Sequence, residues 1–114
     1  MGQVLALPKK NRLRTKKEID RVFKNGRTVR GSFLFIRFLR NQKGSSRFAF
    51  IVPTKHIPLA VDRNKIKRML SEEVMSSFLS RQGYDVIVVI TGKVERIQLK
   101  RLSTETREIL EKLI

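Results

Sequence analysis

The residues with the most chemical character lie together: Asp62-Arg63-Asn64-Lys65-Ile66-Lys67-Arg68-Met69-Leu70. On a helix turning about 100° per residue, Arg63, Asn64, Lys65, Lys67 and Arg68 fan over roughly 200° of surface, and Ile66 points the other way. Cations this close repel one another by roughly a few tenths of a kcal/mol per helical pair. They also crowd the positive end of the helix dipole, where cations are disfavoured. Nothing local offsets either cost, so the bland reading, a solvated basic face, is opposed by the helix itself. A row of phosphates would relieve both penalties. Arg offers phosphate a planar fork, Lys a point charge, and Asn can bond a sugar hydroxyl or a base edge.

A second pattern interleaves aromatics with cations: Phe23, then Phe33, Phe35, Arg37, Phe38 and Arg40. On a strand, Phe33, Phe35, Arg37 and Leu39 share one side, and Leu34, Ile36 and Phe38 the other. Any single Phe reads first as core. Arg37 differs, because a cation among phenyl rings suggests a groove open to solvent at one end. Such a surface can stack unpaired bases and hold their phosphates.

Signs of catalysis by the polypeptide are lacking. The chain has one histidine, His56, and no cysteine. Thiol nucleophiles, disulfides and Cys–zinc sites are therefore excluded. Glu72 and Glu73 are adjacent and diverge by about 100° on a helix. No nucleophile–base pair, metal-ligand cluster or Gly-rich phosphate loop is visible.

These residues need elements to position them. Residues 1–14 read as a basic arm carrying Lys9, Lys10, Arg12 and Arg14. Thr15 and Glu18 form a capping box, followed by Ile19, Val22 and Phe23 on one face, which predicts a helix over 16–25 ended by Gly26. Strands are expected at 32–40 and 47–53, paired as an antiparallel hairpin around a turn at 43–46. A long helix over 61–81 buries Ile66, Met69, Leu70, Val74 and Phe78. Tyr84–Ile90, nearly all apolar, predicts a central strand covered on both faces. A last helix is expected over 103–113, with a short extra strand near 96–100. The order α-β-β-α-β-α implies an α/β sandwich, a small mixed sheet with helices packed on it.

With 114 residues, the chain reads as a single domain, 1–114. Its formal charge of +16 is unevenly placed: through Arg68 there are nineteen Lys or Arg and three acids, and beyond it seven of each. That asymmetry implies a polyanionic partner, with nucleic acid ahead of an anionic membrane surface. No apolar run approaches a membrane span, and the amino-terminal apolar stretch is too short for a signal peptide, so a cytoplasmic location without a membrane partner is expected.

Three segments together resemble the bacterial ribonuclease P protein subunit. Arg63-Asn64-Lys65-Ile66-Lys67-Arg68 is similar to that family's Arg-Asn-Arg signature at the start of a long helix. Leu7-Pro8-Lys9-Lys10-Asn11-Arg12-Leu13-Arg14 and Arg21-Val22-Phe23-Lys24-Asn25-Gly26 resemble its opening. The resemblance runs from about Leu7 to Leu113. It implies an α/β sandwich with a left-handed βαβ crossover. It also implies a catalytic RNA partner that uses Mg2+ to remove the 5′ leader of precursor tRNA, with no obligate protein partner. By position, Arg63, Asn64, Lys65, Lys67 and Arg68 would contact the catalytic RNA, with Lys55, Arg12 and Arg14 beside them. Phe23 would line the leader cleft with Phe35 or Arg37. The chain departs from the family at Ile19, where an aromatic is usual, at Pro58, where Gly is usual, and at Lys65, where Arg is usual. The rival reading is a ribosomal or RNA-chaperone protein with no part in cleavage. A metal-independent nuclease is weaker, for want of a second histidine.

Overall fold

The computed structural model describes residues 7–77 and 83–113. Three helices and four strands follow in order: α1 Lys16–Asn25, β1 Arg27–Arg30, β2 Leu34–Arg40, β3 Arg47–Ile51, α2 Ala60–Ser77, β4 Tyr84–Ile90 and α3 Leu99–Lys112. They form the mixed α/β sandwich the sequence implies, with an unexpected strand, β1, before β2. The sheet order is β1-β2-β4-β3. β4 is antiparallel to β2 and parallel to β3.

Two expectations about the sheet are corrected. The strands at 34–40 and 47–51 are not a hairpin, because β4 lies between them. β4 is apolar from Val86 to Ile90 and needs cover on both faces, which a central position provides. The segment between β2 and β3 crosses the start of β4 and is held there by Asn41, whose backbone NH donates to the Gly83 carbonyl at 2.7 Å. β2 takes its antiparallel edge partner instead from β1, Arg-Thr-Val-Arg, which offers too little apolar alternation to read as a strand.

One sheet face carries Leu34, Ile36, Phe48, Val86, Val88 and Ile90 and packs under α2 and α3 against Ile66, Leu70, Val74, Leu102 and Leu110. The other face carries Ile87 and is covered by α1 through Val22 and by Leu13, with Ile19 and Phe23 packed at the margin. Phe33 lies outside β2 and packs against the first cluster, not on the Phe35 side. The capping box is present: the Glu18 NH donates to Thr15 Oγ1 at 3.1 Å, and the Thr15 NH donates to Glu18 Oε1 at 3.2 Å. Gly26 ends α1 with an extended backbone. A Cβ there would stand 2.6 Å from the Val22 carbonyl oxygen and 2.8 Å from that of Phe38. Close approach, not a left-handed turn, is what requires glycine.

Residues 96–98 form a 3-10 turn leading directly into α3, so no strand forms there and the last helix starts four residues earlier than expected. The expected end of the long helix, with Phe78, falls outside the described residues. Among the described residues no helix is long and apolar enough to cross a membrane.

Candidate nucleic-acid interface

α2 places the fan as its periodicity dictates. Ile66 is 2% exposed, and Asn64, Lys65, Lys67 and Arg68 are exposed. Arg63 is the exception. Its Nη1 donates to the Ile57 and Pro58 carbonyls at 3.0 and 2.7 Å, tying the preceding loop to the first turn of α2. That guanidinium is partly committed to folding. Lys55 stands exposed in the same loop.

The basic segment before α1 is not a free arm from Leu7 onward. Leu7 and Leu13 are buried, and a 3-10 turn at Lys9–Asn11 lets Asn11 Nδ2 donate to the Ser46 carbonyl at 2.8 Å. Arg12 bridges to Phe48 of β3, and its Nε donates to the Leu7 carbonyl at 2.7 Å. The segment thereby covers part of the outer edge of β3, which would otherwise present unpaired backbone groups. It also brings Arg12 and Arg14 beside α2. A concavity of about 370 Å3 between the segment, β3 and α2 is lined by Arg12, Arg14 and Lys67, with Leu7 and Phe50 in its wall. Two cationic segments distant in sequence therefore share one surface.

On the α1 side, Phe23 is half-buried at the margin of the packing around Val22 and Ile87. Phe35 is half-buried on the same sheet face, next to Val89 in register, with the Arg30 guanidinium carbon 5.3 Å from its ring centre. Arg37 is tied into the fold by its terminal nitrogens. It donates to Thr28 Oγ1 at 2.5 Å and to the Phe23 carbonyl, pinning the end of α1 to β1 and β2. Its two terminal nitrogens thus already hold protein partners.

The sequence reading missed an ionic knot beneath α1. Asp85, fully buried at the start of β4, accepts from Arg47 Nε and Nη2 at 2.8 and 2.7 Å and from Asn41 Nδ2 at 2.7 Å. Arg47 Nη1 also reaches Glu18 Oε2 at 2.6 Å. Hydrogen bonding to Asp85 raises the Arg47 pKa against the opposing effect of burial. Burial, which lowers Arg47, works to raise the Glu18 carboxyl. The bonds from Thr15, Arg47 and Arg14 outweigh it and lower Glu18 from the ordinary 4.5 to about 2. One signal was available: Asp85 is the lone charge in an otherwise apolar strand, and a charge there needs a partner.

The architecture defines a class, a small α/β sandwich with a cationic flank. A family model described as Ribonuclease P matches residues 7–114. A ribonuclease P protein component of Caldanaerobacter subterraneus is 34% identical over 106 residues, covering 91% of this chain and 90% of that protein. One from Syntrophomonas wolfei is 32% identical over 107 residues, covering 93% and 89%. Among solved structures, the RNase P protein from Thermotoga maritima superposes with a TM-score of 0.78 at 24% identity, covering 90% of this chain and 97% of that one. A Staphylococcus aureus RNase P protein mutant with defective mRNA degradation activity gives 0.80 at 22% identity, covering 90% and 87%. The chain belongs to the ribonuclease P protein-component family.

Proposed function

We propose that this chain binds the catalytic RNA of ribonuclease P and the 5′ leader of precursor tRNA, and so aids magnesium-dependent removal of that leader. The observation that carries the reading is the convergence of Arg12 and Arg14 with Lys67 on one concavity, beside exposed Arg68. Two polynucleotides repel through their phosphates, and a +16 protein lowers that repulsion where they meet. In this reading Arg12, Arg14, Lys55, Asn64, Lys65, Lys67 and Arg68 contact the catalytic RNA, and the free nitrogens of Arg63 join them. Phe23 and Phe35 offer the leader two ring faces, while Arg37 fixes the end of α1 that carries Phe23.

Among the described residues, no three His, Asp or Glu side chains gather as a metal site. In this reading the magnesium is assigned to the RNA. The hydrolytic chemistry is assigned to the RNA as well, with the polypeptide screening charge and positioning substrate. A cytoplasmic setting follows from that partner.

The test is binding of precursor and of mature tRNA to the reconstituted complex. Tighter binding of the leader-bearing RNA, lost on Phe23→Ala in a variant that still melts cooperatively, is the expected result. Equal binding of the two RNAs would favour a ribosomal or chaperone-type RNA-binding protein. With about five phosphates neutralised on unpaired RNA, log affinity should fall against log salt with a slope near −3.5.

A further inference from the structure

A second concavity, spanning β1, β2 and the start of β4, takes no part in the interface above. Asn25, Arg27, Phe38, Arg40, Tyr84 and Leu113 line it, and it encloses about 460 Å3. That volume lies within the roughly 300–1,000 Å3 of small-ligand sites. It shares no lining residue with the Arg12–Arg14–Lys67 concavity.

Strand register explains its composition. Arg27 pairs opposite Phe38, and Arg40 pairs opposite Tyr84. Phe38 and Arg40 are two apart on one strand, so all four side chains rise from the same face. The Phe38 and Tyr84 rings lie 6.4 Å apart, tilted by 56°. The Arg40 guanidinium carbon stands 5.4 Å from the centre of the Tyr84 ring. Arg27 and Arg40 are both exposed, and among the described residues no carboxylate side chain lines the concavity. Among the described residues neither arginine forms an ion pair. Two exposed guanidinium groups beside two aromatic rings match the two halves of a nucleotide. The planar forks suit phosphate oxygens, and the rings suit a base.

We propose that this concavity is a second nucleotide-binding site that takes a segment of single-stranded RNA, its phosphates on Arg27 and Arg40 and a base against Tyr84 and Phe38. β1 and β3 are opposite edges of the sheet. The protein would then hold RNA at two separate places at once. This site stands or falls independently of the α2 surface.

Tyr84 is the only tyrosine, and the chain has no tryptophan, so its emission reports on this concavity directly. The full chain is titrated with a five-residue oligouridylate while Tyr84 fluorescence is followed. Saturable quenching is expected. Its midpoint should rise at least tenfold in Arg27→Ala and in Arg27→Ala/Arg40→Ala, and stay within twofold in Arg68→Ala. Arg27→Lys should recover part of the loss, which a folding defect would not allow. No saturable quenching would overturn the proposal, as would a midpoint that moves with Arg68 and not with Arg27. A hexaglutamate peptide that quenches at the same concentration would also overturn it, by revealing a general anion patch.

Discussion

Arg47 and Arg68 carry the same guanidinium into opposite surroundings. Arg47 is almost enclosed, its side chain 12% exposed, and is bonded to Asp85 and Glu18. Arg68 is exposed on α2 and makes no ion pair among the described residues. The first arginine holds α1, β3 and β4 together, and the second leaves its charge to the surroundings. A high positive charge therefore mixes two populations. Arg37, Arg47 and, in part, Arg12 and Arg63 are tied up by the fold, whereas Lys65, Lys67 and Arg68 stand on a surface the fold does not need.

Arg47→Ala breaks the comparison most severely. It leaves Asp85 buried with Asn41 and a distant Arg21 as its remaining partners, and loss of one partner from a buried pair costs about 3–5 kcal/mol. Chemical denaturation should show that loss, with RNA affinity per folded molecule little changed. Arg68→Ala sharpens the comparison from the other side. Stability should stay within about 0.5 kcal/mol, as for an exposed residue without partners. The salt slope of RNA binding should flatten by about 0.7 for a contact to unpaired RNA.

A third effect is acid sensitivity. Glu18 has a lowered folded-state pKa of about 2 against an ordinary 4.5. Its contribution is complete above pH 4.5 and is lost as pH falls from there toward 2. Glu18→Gln should remove that part of the acid dependence. Because the carboxyl is partly solvated, the loss at neutral pH should be about 1 kcal/mol. Denaturation midpoints at pH 3 and pH 7 check it, since the difference between them should shrink in the variant.

Legibility in the sequence followed the range of the interactions. The capping box, the buried stripe of α2 and the apolar β4 are local patterns, and each forms where its spacing places it. Strand pairing is not local. The run from Asn41 to Ser46 is long enough to cross over a strand, and nothing in it announces that β4 will enter between β2 and β3. β1 escaped notice because its four residues are mostly polar and depend on β2 for pairing. The α2 cations were readable, because their cost to the helix is a local fact. Which arginines the fold consumes was not, because the Thr28, Phe23 and Asp85 partners are set by register and by the docking of α1. The ring faces of Phe23 and Phe35 were anticipated on one side of the sheet. Phe33 left that group when β2 began two residues later than expected.

Gly26 has a consequence beyond ending a helix. With carbonyl oxygens 2.6 and 2.8 Å from where a methyl would sit, the last turn of α1 rests on β2 backbone to backbone. The span between Phe23 and Phe35 is thus gauged by a missing atom. One added carbon at position 26 would act as a shim, lifting the helix end and opening the space between the two rings without altering either.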